Sequence, residues 1–352
     1  MRALDRLEQC REMAASEPQQ ALSLLPGRGA LPAALRPERD FVAAEACRAM
    51  GLFKRSEALY RRVLRAADRG QDSVLWAEAA LGSASGLRAV GETRSARRLL
   101  KAAGALHIAV FERRLQLEEA LVIRAEGRYG ESIRRLSKLL RGADREETAY
   151  LFWAIGGARR FAGDLSASRR AYLRSLDQAR RCRDLSGVGY ACLGLGGVCR
   201  IEGLLERSAS YYRRAARVFR GTSDLFAKAY ALCGLANACR QLGRLQEAAR
   251  LYGRARPLYA ALGDKPDLAY VDWGLGKTHL MRGDLRRAEA RFRLSSKLFR
   301  ESGEARGEVL SGLALSSALH SMGRTTEAER VFSAAYRLGR RTGLHAHLEI
   351  FT

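Results

Sequence analysis

The small, apolar and basic positions of this chain fall into a repeating pattern. Five glycines, Gly163, Gly203, Gly243, Gly283 and Gly323, recur every 40 residues without drift. Each opens a short polar and leucine segment that passes into an arginine-rich stretch with helical spacing: GDLSASRRAYLRS, GLLERSASYYRRA, GRLQEAARLYGRA, GDLRRAEARFRLS and GRTTEAERVFSAA. A fixed period of this length marks stacked supersecondary units, each too small to bury its own apolar face. The same frame continues backwards to Gly127, Gly91 and Gly51, with spacings of 36, 36 and 40. The pattern predicts eight helix pairs, over 37–76, 77–112, 113–148, 149–188, 189–228, 229–268, 269–308 and 309–348.

Columns of the alignment give the pairs a physical reading. Seven residues before each glycine stand Ala44, Ala84, Ala120, Gly156, Gly196, Ala236, Gly276 and Ser316. Five after it stand Ser56, Ala96, Ser132, Ser168, Ser208, Ala248, Ala288 and Ala328. Small residues on both helices allow close approach where helix A crosses helix B. Nine after the glycine come Tyr60, Leu100, Leu136, Tyr172, Tyr212, Tyr252, Phe292 and Phe332, large groups that fill the gap between successive pairs. The glycine itself ends helix A by supplying a left-handed residue. Residues 1–37 hold four of the chain's six prolines, and short helices are expected over Leu4–Ala15 and Gln19–Leu25. Residues 1–36 read as an N-terminal helical cap or tether, and 349–352 as a C-terminal tail.

Small residue, apolar residue, glycine, small residue, large ring: over residues 37–348 this resembles the tetratricopeptide repeat (TPR) family. The 40-residue period is similar to the longer-helix repeats of the Pins/LGN polarity adaptors and of sensor arms in bacterial regulators. The family's tryptophan near the start of helix A and its proline at the end of helix B are absent from their columns. The resemblance implies an all-α, right-handed superhelical α-solenoid of about eight helix pairs. It also implies a non-enzymatic scaffold or adaptor, whose A helices line a concave face that binds peptides or partner proteins.

The columns of that implied face can be read off. Three residues before the glycine, six repeats in succession carry arginine: Arg48, Arg88, Arg124, Arg160, Arg200 and Arg240. Rungs about 10 Å apart, the usual helix spacing, match roughly three residues of an extended peptide. The guanidinium fork suits carboxylates and phosphates. In repeats one to three Glu45, Glu78 and Glu118 stand near the ladder as counter-charges. Later repeats offer Tyr150, Tyr190, Tyr230, Trp153, Asn237, Trp273 and Lys277 instead, so the expected binding surface lies in repeats four to seven, on Arg160, Arg200 and Arg240 with those residues. Asn237 matches the groove asparagine of Pins/LGN-type repeats, a peptide-backbone contact. The competing reading is that arginine in the last turn of a helix answers the helix dipole and free carbonyls without any ligand.

Charge sharpens the choice of partner. The formal net charge is +24, with 55 arginines against 7 lysines. That favours an acidic peptide or protein segment, with RNA or single-stranded nucleic acid as the alternative. Other chemistry fails on inspection. Gly274-Leu275-Gly276-Lys277-Thr278 resembles the end of a phosphate loop, but Val271 stands where its first glycine belongs. Both glycines also belong to repeat columns. Cys199, Cys239 and His279 share a column whose other members are apolar, which reads as packing and not as a metal site. No catalytic constellation, cofactor motif or metal site is expected. The N-terminus lacks the apolar region of a signal peptide, and no run approaches a membrane span, so a cytoplasmic protein is expected. Leu344, Leu348, Ile350 and Phe351 suggest a C-terminal end capable of self-association.

Overall fold

The computed structural model describes residues 3–67 and 72–343. Among these residues the regular structure is entirely helical. Helices α1 (Ala3–Met13) and α2 (Pro18–Leu24) precede eight helix–turn–helix pairs. The first four are α3 (Arg36–Ala49) with α4 (Phe53–Ala66), α5 (Ser73–Ala89) with α6 (Thr93–Gly104), α7 (Ala109–Ala125) with α8 (Tyr129–Leu139), and α9 (Arg145–Phe161) with α10 (Leu165–Arg181). The next four are α11 (Leu185–Ile201) with α12 (Leu205–Phe219), α13 (Leu225–Gln241) with α14 (Leu245–Leu262), α15 (Lys265–Met281) with α16 (Leu285–Ser302), and α17 (Ala305–Ser321) with α18 (Thr325–Arg341). The A helices therefore begin one to four residues before the unit starts drawn from the sequence, because the glycine frame marks where helix A ends and not where it begins. The chain forms two compact units, one of residues 1–194 with 221–224 and the other of 195–220 with 225–352. Each is an α-solenoid segment. No described helix is long and apolar enough to cross a membrane.

The glycine column closes every A helix. Gly51, Gly91, Gly127, Gly163, Gly203, Gly243, Gly283 and Gly323 take φ between +74° and +86°. In the fourth pair the N–H of Gly163 reaches the carbonyl of Arg160 at 3.2 Å, and that of Asp164 the carbonyl of Arg159 at 3.0 Å. These bonds satisfy carbonyls that the helix end leaves open.

The small-residue columns lie at the A–B crossings, and hydroxyls add a tie there. Ser56, Ser132, Ser168 and Ser208 each donate from Oγ to the carbonyl of the small residue opposite, on Ala44, Ala120, Gly156 and Gly196, at 2.7 to 2.9 Å. The ring column sits in notches cut by glycines. A Cβ added at Gly156 or Gly194 would stand 2.9 or 2.3 Å from the Tyr172 ring. Gly196 and Gly234 frame Tyr212 in the same way, while Gly274 faces Tyr252 and Gly276 faces Phe292. The two glycines of the phosphate-loop look-alike are thus mid-helix packing positions in α15. Cys199 and Cys239 are likewise enclosed in the apolar interior.

At the N-terminus, Leu7, Cys10, Ala14, Ala21 and Leu31 are buried with Val42 and Ala46 of α3, so this segment covers the outer side of the first pair. The apolar residues Leu344, Leu348, Ile350 and Phe351 lie outside the described residues.

A second left-handed column closes the B helices. Gly263, Gly303 and Gly343 have φ of +66°, +71° and +70°, and Arg183 holds the same place at +59°. A side chain in this conformation is strained by contact of its Cβ with the backbone. Arg183→Gly is therefore expected to raise stability by about 1 kcal/mol, read as a higher urea midpoint at unchanged slope. A lower midpoint would mean that the arginine side chain contributes more than its strained backbone costs.

Candidate functional site

The arginine column stands at the last turn of the first six A helices, where backbone N–H groups already serve the carbonyls. Gly203 N–H bonds Arg200 O at 3.2 Å and Gly243 N–H bonds Arg240 O at 3.0 Å. The side chains turn elsewhere, and each unit presents them differently.

In the first unit the early rungs are neutralised. Arg48 pairs with Glu45 at 2.6 Å, and Glu45 also accepts from the Tyr60 hydroxyl. Arg88 reaches across to Glu118 at 3.4 Å and to Ser85 Oγ at 3.1 Å. Glu78 is engaged differently from the sequence expectation. Arg11 of α1 bridges Glu38 at 2.6 Å and Glu78 at 2.9 Å, so the charge that faces Glu78 comes from the N-terminal helix.

Arg124 differs. Among the described residues it has no carboxylate partner. Its guanidinium lies 5.7 Å over the Trp153 ring, with Nη1 3.4 Å from the carbonyl of Ala154. Gly157 makes room for it, since a Cβ there would stand 3.0 Å from Nη1. Burial, with the charges of Arg88 and Arg160 nearby, lowers the Arg124 pKa. Tyr150, 39% exposed, packs 5.5 Å from Trp153, which in turn meets Tyr190 edge-on at 5.8 Å. The Tyr190 hydroxyl donates to Asp224 at 2.5 Å, which ties this groove-column tyrosine to a turn of its own chain. Arg160 lies 4.8 Å over Phe161.

The second unit gathers cations around Trp273. Arg240 is only 6% exposed, and its Nε has no hydrogen-bond acceptor. Its guanidinium stands 5.6 Å over Trp273, whose indole Nε1 is also buried without an acceptor. Lys277 Nζ stands 5.8 Å over the same ring, and burial together with Arg240 lowers its pKa. Tyr252 organises the polar floor. Its hydroxyl donates to Asn237 Oδ1 at 2.7 Å, and burial raises its pKa against the pull of the nearby Arg240 charge. The hydrogen bond fixes the Asn237 amide with its NH2 turned away from Tyr252 and 3.8 Å from Cys233 Sγ. Arg200 lies close enough to act electrostatically on Tyr252 and Cys233. None of Arg200, Arg240 and Lys277 has an ion pair among the described residues. Tyr230 stacks on Phe226 at 5.9 Å.

Burial pushes the Cys233 thiol up to about 12, so it is an uncharged wall of this site. The acid near this wall is Asp267, whose pKa burial and the neighbouring Asp264 charge push up to about 7, against a hydrogen bond from Tyr259. Buried donors without acceptors are costly to a fold, and clustered like charges add to the cost. A site rich in donors and poor in acceptors fits a ligand that only accepts: a carboxylate or a phosphate. Sequence reasoning reached Arg240, Asn237, Trp273 and Lys277, but neither Tyr252 as the partner of Asn237 nor Asp267 as an acid near Cys233. Both depend on contacts between columns and not on any one column.

Asp267 also sets a pH dependence. Its folded pKa lies above its unfolded value, so the folded state binds the extra proton, and stability falls as pH rises from about 4 to about 7 and then levels off. Asp267→Asn removes this penalty. A gain of order 2 kcal/mol is expected at pH 8, fading below pH 5. Thermal melts of both proteins across that range check it, and a gain that is largest at low pH would contradict it.

Comparison with known proteins agrees with the fold. The tetratricopeptide repeat model matches residues 190–261 and 227–301. Over residues 190–301 the chain thus matches the tetratricopeptide repeat family, whose proteins generally mediate protein–protein interaction. No curated protein matches the sequence. Among solved structures, a Rap protein complexed with Competence and Sporulation Factor is similar with a TM-score of 0.61 at 12% identity, over 75% of this chain and 76% of that one. A signal-transduction ATPase with a tetratricopeptide repeat sensor, from Pyrococcus horikoshii, gives 0.64 at 13% identity over 97% of this chain and 55% of that one. BtubC from P. vanneervenii gives 0.51 at 18% identity, over 66% and 92%.

Proposed function

We propose that this protein is a non-enzymatic adaptor that holds an acidic peptide or protein segment on the A-helix face of its second unit. Arg200, Arg240 and Lys277 supply charge, Asn237 a donor for the peptide backbone, and Trp273 and Tyr230 apolar walls. The observation that carries this reading is Arg240, nine-tenths buried, with a donor lacking any acceptor and no carboxylate beside it. A charged side chain kept in that state stabilises little by itself and is explained by an anion that arrives from outside. In the first unit Arg124, Arg160, Tyr150 and Trp153 form a second, more open face of the same character, with the Tyr190 ring against Trp153. The structural neighbours include a Rap protein in complex with a factor and a sensor region of a signalling ATPase, which supports a regulatory or accessory use of such faces.

The test is a pull-down from nuclease-treated native lysate with wild type and with Arg200→Glu/Arg240→Glu, the variant first shown to keep its helicity. An acidic protein captured by wild type and lost in the variant is the expected result. Unchanged capture would overturn the site. Capture that returns only when nuclease is omitted would put nucleic acid in its place.

A further inference from the structure

The A-helix face of the second unit holds more positive charge and more donors than one carboxylate can answer. Arg240 of α13 and Lys277 of α15 stand 5.6 and 5.8 Å from the centroid of the same Trp273 ring. Burial and the Arg240 charge both lower the Lys277 pKa, and no acid opposes them. Arg200 acts on the same Cys233 wall as Arg240. A carboxylate brings one negative charge to this cluster. A phosphomonoester brings about 1.5 to 2 at neutral pH, so it can neutralise both cations at once.

The donors point the same way. The Nε of Arg240 and the indole Nε1 of Trp273 are buried without an acceptor. The ammonium of Lys277 carries three N–H groups, and the Asn237 NH2 lies on the side of its amide away from Tyr252. These groups come from two helices, Arg240 and Asn237 from α13 and Trp273 and Lys277 from α15. A carboxylate accepts through two oxygens in one plane. The three outer oxygens of a phosphomonoester spread tetrahedrally and can take bonds from both helices.

We propose that this centre binds the phosphomonoester of a phosphorylated peptide side chain, held by Arg240 from α13 and by Lys277 from α15. The inference rests on the reading of this face as a ligand surface and names the anion it selects. Two observations favour a peptide over nucleic acid. Each phosphate of a nucleic-acid backbone carries a single negative charge, which leaves the second cation unanswered. Binding of single strands also relies on bases stacking on open aromatic faces, whereas Trp273 is 7% exposed with two cations against it.

The experiment passes randomised peptide libraries over the immobilised full chain at about 150 mM salt, where distant charges are screened. The central residue is fixed as phosphoserine, phosphotyrosine, glutamate or serine. Wild type is compared with Lys277→Gln, with Arg240→Gln and with Arg214→Gln/Arg254→Gln on the B helices, each first shown to keep its helicity. The expected result is that one or both phosphorylated libraries are retained about tenfold more than the glutamate library on wild type. That preference should shrink to about threefold or less in Lys277→Gln and persist in the B-helix control, while Arg240→Gln weakens both kinds of acidic library. Equal retention of phosphorylated and glutamate libraries, both lost in Arg240→Gln, would overturn the phosphate inference and leave the acidic-segment reading standing. Retention indifferent to Arg240→Gln, or no retention of any library, would overturn both. A preference that survives Lys277→Gln, or phosphorylated peptides displaced by a uridine oligonucleotide more readily than by free phosphoserine or phosphotyrosine, would also overturn the inference.

Discussion

Gly234→Ala is expected to destabilise the second unit by about 2 to 3 kcal/mol, the range of an overpacked core. The added Cβ would stand 2.2 Å from Cε1 of Tyr212. Tyr212 is 3% exposed, and on its other side Gly196 leaves a Cβ position only 2.8 Å from Cδ2, so the ring has nowhere to move. Truncating the ring should restore room. Gly234→Ala/Tyr212→Leu is expected to be more stable than the sum of its single changes by about 1 kcal/mol or more, because the two residues share one contact. Denaturant midpoints of the four proteins measure this coupling. Additive losses would mean that Tyr212 and Gly234 do not define the spacing of the repeats.

Arg240→Met has a different signature, a loss of binding without a loss of fold. Methionine fills the volume of the arginine stem and removes a buried donor that lacks an acceptor beside two further cations. Replacing a buried charge by an apolar group of similar size is often neutral or stabilising by 1 to 4 kcal/mol. Against this stands the lost contact with Trp273, worth about 1 kcal/mol. The expected outcome is an unchanged or slightly raised melting temperature. Affinity for an acidic ligand should fall roughly thirtyfold or more, the usual effect of truncating one partner of a buried charge pair. A variant that melts well below wild type would make Arg240 a structural residue and not a binding one.

Much of the fold is legible in the chain because the repeat fixes it eight times over. The left-handed glycines, the small-residue crossings and the ring notches are each properties of one column, and a column can be read without knowing what lies across from it. The site is legible only in part, for the converse reason. Arg240 and Trp273 were visible as column members, yet their contact depends on how one A helix leans on the next. Tyr190 read as a groove ring, but its hydroxyl is held by Asp224, 34 residues on. The same spacing ties Tyr270 to Glu304 at 3.2 Å, so a search for acids 34 residues after each tyrosine finds these ties. Glu78 read as a neighbour of the arginine ladder, and it is Arg11, 67 residues earlier and outside the repeats, that takes it. Arg183 gave no sign of its left-handed backbone, because glycine holds that column only from the later pairs onwards.

The measurement that bears most directly on the acidic-ligand face is fluorescence anisotropy of a labelled oligoglutamate peptide and a labelled uridine oligonucleotide, each titrated with three proteins. These are wild type, Arg240→Gln/Lys277→Gln, and a control pair on the B helices, Arg214→Gln/Arg254→Gln. Both pairs remove two positive charges, so general attraction to a cationic protein changes equally. The account predicts that oligoglutamate affinity falls at least tenfold in the Arg240/Lys277 pair and less than twofold in the control. Equal weakening by both pairs, or loss confined to the oligonucleotide, would contradict it.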